Sequence, residues 1–259
     1  MNNSWCSDDS CEINITPEEV ALRNLRLFQT KIKQICIDHG RKPDACRVLP
    51  VSKTIPQEVL RYFCKNGEKV FGENKVQELE SKYTGLSDQD PEWHFIGHLQ
   101  SNKVKNCIKL ATMVHSVDRL KLAVEMDRCL QRAGKSMPIL IQVNTSGEAS
   151  KFGVSPEQLI GLAREIRKFD TLKIKGLMTL AVLSRSTPLV RRCFQELKAL
   201  AERIQNEAIM DVDMSELSMG MTSDFEVAVQ EGATIVRIGQ GIFGPRGLPD
   251  SHYWNEESK

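Results

Sequence analysis

Apolar residues recur along this chain at two different periods. Between Thr16 and Gly40, residues Leu22, Leu25, Phe28, Ile32 and Ile35 return every three or four positions, which predicts one long amphipathic helix. Thr16 can cap that helix, Pro17 suits its first position and Glu19 completes a capping box. Beyond Gly40 the pattern shortens into β-like runs: "RVLPVS", "KVFG", "HFIG", "MVHSV", "ILIQVN", "KIKGLM", "ELSMG" and "IVRIG". Each run but the last is followed by a stretch with helical character. Pro56 and Gly67 bracket the helix after the first run. Ser155-Pro156 and Thr187-Pro188 open those after the fifth and sixth, and Ser223 with Glu226 marks the one after the seventh.

Eight strand–helix units joined by short linkers predict an α/β protein built as a single-domain (β/α)8 TIM barrel, in preference to an open doubly wound sheet. No Pro/Gly/Ser-rich linker divides the chain. The expected boundaries are a disordered segment at 1–15, the barrel at 16–247 and a mobile tail at 248–259.

Composition narrows the function classes. The chain has 259 residues, 41% hydrophobic and 27% charged, with a formal net charge of +1. Nothing in this balance favours a polyanion-binding surface, so nucleic acid is not an expected partner. The eight cysteines, among them Cys6 and Cys11, include no CxxC pair and read as small buried hydrophobes in a reducing compartment, with no metal site. No apolar run approaches a membrane span, and the first residues carry neither a basic n-region nor an apolar h-region. A cytoplasmic location is expected.

In (β/α)8 barrels chemistry gathers at the C-terminal ends of the strands. Those ends carry Lys53, Glu73-Asn74, His98, Ser116 and Asp118, Asn144, Met178-Thr179, Ser218 with Gly220, and Gly239. Lys53 follows "VLPVS", and alternation places it on the face of Leu49 and Val51. An ammonium partly withdrawn from water has its charged form disfavoured, which frees the amine to condense with a carbonyl. The plain alternative is a rim lysine whose stem packs while its head reaches solvent.

The turns "SMGMTS" and "GQGIFG" follow the last two strands, the usual place for a barrel phosphate site, and can present backbone N–H groups to one anion. Arg237 lies two residues before Gly239 and so shares its face; an interior guanidinium needs an acceptor, which a buried carboxylate or a heteroaromatic nitrogen could supply. Amine, phosphate cradle and arginine together suggest a phosphorylated aldehyde, pyridoxal 5′-phosphate (PLP), held as a Schiff base.

The strings "VSKT", "FGEN", "WHFIGHLQSNK", "QVNTSGEASKFG", "GLMT", "LSMGM" and "VRIG…IFG" resemble, in order, those of the pyridoxal phosphate homeostasis protein family, also called proline synthase co-transcribed homologues. The resemblance runs from about Leu22 to Arg246. It implies the alanine racemase N-terminal barrel, PLP fold type III, without the C-terminal β-domain. It also implies Lys53 as the Schiff-base residue and Ser218, Met219, Gly220, Gly239 and Gln240 around the phosphate. Arg237 would face the pyridine nitrogen, and Asn74 and His98 would line the ring pocket. No catalytic residue is carried over, because the family is linked to PLP and amino-acid balance and not to robust turnover.

The chain departs from that pattern at Lys75, where an aromatic residue is common, and at Gln240 and Gly241, where small hydroxyl residues are frequent. Expected partners are PLP and apo forms of PLP-dependent enzymes, with the protein a monomer or weak dimer. The chemistry favours a carrier. An arginine that only donates leaves the ring nitrogen unprotonated and the ring a weak electron sink. Tyr62, Tyr83 and Tyr253 all lie away from strand ends, so no tyrosine supplies the second acid a racemase needs, though His98 could supply a proton for weak side activity. An amino-acid racemase is the main alternative reading, followed by a cofactor-free class I aldolase and an interaction scaffold.

Overall fold

A computed structural model of the chain describes residues 15–206 and 212–245; Cys6, Cys11, all but the last residue of the segment expected at 1–15, and the tail expected at 248–259 lie outside them. Helix α1 spans Pro17–Asp38, and its Thr16 capping box forms in both directions. There follow β1 (Arg47–Pro50), α2 (Gln57–Lys65), β2 (Val70–Glu73), α3 (Val76–Gly85) and β3 (Glu92–Phe95). After a 3-10 turn come α4 (Val104–Leu110), β4 (Met113–Val117), α5 (Leu120–Ala133), β5 (Met137–Gln142) and α6 (Leu159–Ile166). The chain continues through β6 (Leu172–Met178), α7 (Thr187–Asn206), β7 (Glu216–Ser218), α8 (Phe225–Gln230), β8 (Ile235–Ile238) and α9 (Gln240–Phe243).

All neighbouring strands pair parallel in the order β1-β8-β7-β6-β5-β4-β3-β2. A bridge between Val51 and Gly72, with the Ser52 amide donating to the Gly72 carbonyl at 3.0 Å, closes β1 onto β2. This is the (β/α)8 barrel expected from the alternating pattern. Its interior holds two small apolar groups, Leu49, Val51, Ile96 and Ile235 in one and Met113, Leu140 and Met178 in the other. Gly72 makes room for the first, since a Cβ there would stand 3.2 Å from Leu49 Cδ2. The larger apolar core lies between sheet and helices and includes the six described cysteines, all buried and unpaired in disulfides.

Two local expectations are corrected. Ser223 does not cap α8: Asp224 holds the cap position, and its carboxylate accepts from the Met221 amide at 2.5 Å. Helix α6 starts at Leu159, a turn later than Ser155-Pro156, because the Gln158 and Leu159 amides both donate to the Ser155 carbonyl and form a preceding turn. The last strand also has a helix after all, the four-residue α9. It is too short to cover the barrel, and α1 packs over it, tied by Asn24 Nδ2 to the Ile242 carbonyl at 3.0 Å. No described helix is long and apolar enough to cross a membrane.

Candidate functional site

Lys53 leaves the end of β1 with only 3% of its surface exposed, inside the mouth and away from bulk solvent, so it is not a snorkelling rim residue. Its neighbour in the sheet is β8. The pairs Leu49↔Arg237 and Pro50↔Ile238, and the Val51 amide on the Ile238 carbonyl at 2.8 Å, set the Gly239–Gln240 turn beside the Val51–Lys53 segment. Thus the amine, the guanidinium and the last glycine turn stand on two adjacent strands.

Arg237 is fully interior. Nη1 donates to Ser218 Oγ and Nη2 to the Thr179 carbonyl, both at 2.8 Å. The acceptors are therefore a hydroxyl and a carbonyl, not the buried carboxylate that was one sequence-level option. Burial lowers the guanidinium to about 10, opposed by the Asp224 carboxylate, and it stays charged at neutral pH. Ser218 Oγ also lies 3.0 Å from His115 Nδ1, and His115 Nε2 lies 3.0 Å from His94 Nδ1. Burial drives both histidines toward the neutral form, His94 to about 4 and His115 well below its ordinary value. The result is a buried chain from His94 through His115 and Ser218 to Arg237. Sequence reading missed both histidines, though each alternates inward on its strand in "WHFIG" and "MVHSV".

The hydroxyl of Ser218 is thus engaged inside the barrel. Several amides of the glycine turns are engaged as well: Met219 N donates to the Ile235 carbonyl, and Gly241 N donates to Thr222 Oγ1 at 3.2 Å. Thr222, which sequence reading did not single out, ties the two turns together. Gly220 has φ +94, and a Cβ there would approach Ala228 Cβ to 2.5 Å, so packing against α8 alone demands glycine. At α9 the first amides have no intrahelical acceptor, so the Gly239–Gln240 start is where backbone N–H groups are available to an acceptor outside the helix. The Gln240 side chain is exposed.

On the opposite side Asn74 is buried beyond β2, and its carbonyl occupies the space a Cβ on Gly97 would need, 2.0 Å away. His98 stacks on Phe152, ring centroids 3.8 Å apart and 16° from parallel, with Nδ1 3.5 Å from Asp118 Oδ2. Burial pushes the Asp118 carboxyl up, but the His98 and Arg119 contacts outweigh it and hold the group below its ordinary range. Asn144 organises the loop after β5 by donating to the Glu148 carbonyl at 2.9 Å. Lys151 Nζ donates to the Ala181 carbonyl at 2.7 Å and pairs with Glu148 at 3.0 Å, joining the loops after β5 and β6.

The mouth therefore presents a buried amine, a buried guanidinium and helix-start amides around one opening, while Ser116 Oγ, fully buried on β4, has no hydrogen-bond partner among the described residues. Such a donor set fits a phosphorylated heteroaromatic aldehyde, and the relatives agree. The family model described as "Alanine racemase, N-terminal domain" matches residues 35–247. A pyridoxal phosphate homeostasis protein of Aquifex aeolicus is 44% identical over 226 residues, 87% of this chain and 98% of that one. The structure of PipY from Synechococcus elongatus PCC7942 with PLP bound is 33% identical with a TM-score of 0.74, covering 82% of this chain and all of that one (100%). An alanine racemase of Clostridium difficile 630 shares the fold alone, at 15% identity and a TM-score of 0.68, and this chain, matched over 88% of its length, covers 58% of it. The chain therefore belongs to the alanine racemase N-terminal domain family and, within it, to the pyridoxal phosphate homeostasis proteins.

Proposed function

We propose that the barrel mouth binds PLP as a Schiff base on Lys53 and that the protein buffers intracellular PLP, and with it amino-acid balance, without robust catalysis. The observation that carries this is the burial of the Lys53 amine at the strand end beside the Gly239–Gln240 turn. PLP, when bound, supplies an electrophilic aldehyde. In this reading Arg237 donates toward the ring nitrogen, and the turns at Ser218–Thr222 and Gly239–Gly241 receive the phosphate, chiefly through the backbone amides of Gly239 and Gln240. Asn74 and His98 bound the ring. A permanently charged donor at Arg237 gives the ring nitrogen no proton to hold, which supports carriage over carbanion chemistry.

Borohydride reduction of the PLP-loaded protein, followed by peptide mapping, should place the pyridoxyl group on Lys53. Lys53→Ala should lose the Schiff-base absorbance while keeping its melting temperature, because the side chain lies at the mouth and outside the apolar groups of the barrel. A reducible adduct at an unchanged level in that variant would overturn the assignment.

A further inference from the structure

The turn that carries Lys53 is held from behind by a second lysine. Lys82, on α3, is buried, and its Nζ donates to the Ser52 carbonyl at 2.5 Å, to Glu73 Oε1 at 2.7 Å and to Glu78 Oε1 at 2.7 Å. Glu73 Oε1 also accepts from Ser52 Oγ at 2.6 Å, and Glu78 Oε1 accepts from the Thr54 amide. The residues on both sides of Lys53 are therefore fixed by one ionic cluster. Thr54, a β-branched residue, has φ +68, a conformation such residues avoid unless their surroundings impose it.

We infer that Lys82, Glu73 and Glu78 are positioning residues that hold the Ser52–Thr54 turn so that the Lys53 amine meets an aldehyde seated in the mouth; this rests on the reading of Lys53 given above. Stability alone is a poor reason for such a cluster, since apolar residues of similar volume commonly replace buried ion pairs without loss. Its location gives the better reason. Among the described residues its side chains bond the backbone and side-chain atoms of Ser52 and the amide of Thr54. Burial raises the Glu73 carboxyl above its ordinary range and Lys82 works against that rise, so the two groups depend on each other to stay buried as an ion pair.

Condensation forms a C=N bond between the Lys53 nitrogen and the aldehyde carbon. One water leaves, its oxygen from the aldehyde and its two protons from the neutral amine. A reacting atom displaced by about 1 Å can lose roughly 100-fold in rate, whereas noncovalent seating of the ring and phosphate does not need the amine in place. Two probes separate these effects: PLP itself, and pyridoxine 5′-phosphate, which has the same ring and phosphate but an alcohol in place of the aldehyde.

In Glu73→Gln/Lys82→Met, which removes the buried charges together, condensation with PLP followed by stopped-flow absorbance should slow by at least about tenfold. Binding of pyridoxine 5′-phosphate should stay within about twofold, because no group that seats it has changed. Glu78→Ala should show the same split, and Glu78→Gln, which keeps an acceptor oxygen, should restore the rate to within about twofold. Glu78 is half-buried, so its variants test the inference even if the double variant fails to fold. Wild-type condensation rates in the folded variants, or parallel loss of both probes, would overturn the positioning role. No trapped adduct on Lys53 in the wild-type protein would overturn the Schiff-base reading instead.

Discussion

Ser218 and Gln240 look equivalent from the sequence, since both sit in turns placed to receive a phosphate, yet their side chains face opposite ways. The Ser218 hydroxyl accepts from Arg237 and touches His115 deep in the barrel, while the Gln240 amide is exposed. A hydrogen bond to a charged group contributes about 1.5–3 kcal/mol, and Ser218→Ala should lose that amount of stability in denaturant unfolding by leaving the guanidinium short of an acceptor. Gln240→Ala should change PLP affinity by less than about threefold in a spectral titration, because backbone amides do not depend on the side chain. A loss of affinity in Ser218→Ala at unchanged stability would show instead that the hydroxyl serves the ligand. At this scale the sequence was legible wherever a residue type has one physical need. A lysine on an apolar face and an arginine in alternation with interior positions could be placed by counting. The direction of a small hydroxyl could not, and Thr222, His94 and His115 escaped because their partners lie far along the chain, in other elements.

Elements were legible where they carry their own punctuation. The Thr16–Glu19 capping box forms as its residues dictate, and the alternating runs became eight parallel strands. What periodicity could not supply was the role of α1, whose packing depends on the other end of the chain. Phe28 of α1 lies against α9, where a Cβ on Gly241 would come within 2.5 Å of the Phe28 ring. An aromatic ring over this position leaves room for glycine and for no side chain. Overpacking a filled core costs about 1–3 kcal/mol, and Gly241→Val should reduce unfolding stability by that much as the Phe28 ring is pushed aside. A Phe28→Leu change in the same chain should recover part of the loss; a Gly241→Val protein as stable as wild type would show that α1 yields freely at this contact.

For the whole molecule, the absence of a composition break already indicated one barrel, but its polar interior appeared only once the strands were assembled. His94 and His115 are held neutral by burial, so unfolding lets them take up protons. A native value of about 4 for His94 against 6.5 unfolded gives a contribution that is complete above pH 6.5, declines as the pH falls toward 4 and amounts to about 3 kcal/mol. Melting curves from pH 7 to pH 4 should show this decline, and His94→Gln/His115→Gln should flatten it. The barrel that results is one whose interior arginine only donates and whose tyrosines at positions 62 and 83 sit on α2 and α3, away from the mouth. A racemase must remove and return a proton on opposite faces of a carbon; in the proposed reading Arg237 leaves the ring nitrogen without a proton, and neither Tyr62 nor Tyr83 opposes the ring. In the proposed reading, release of the cofactor needs only hydrolysis at Lys53. The PLP-loaded protein mixed with an apo PLP-dependent enzyme should therefore restore that enzyme's activity, and should do so when free PLP is scavenged if transfer is direct. Racemisation of common amino acids should stay near background in the same preparations. A kcat above roughly 1 s⁻¹, the low end of typical enzymes, would show that a proton donor other than these tyrosines reaches the ring, and His98, beside the mouth and paired with Asp118, would be the first residue to replace.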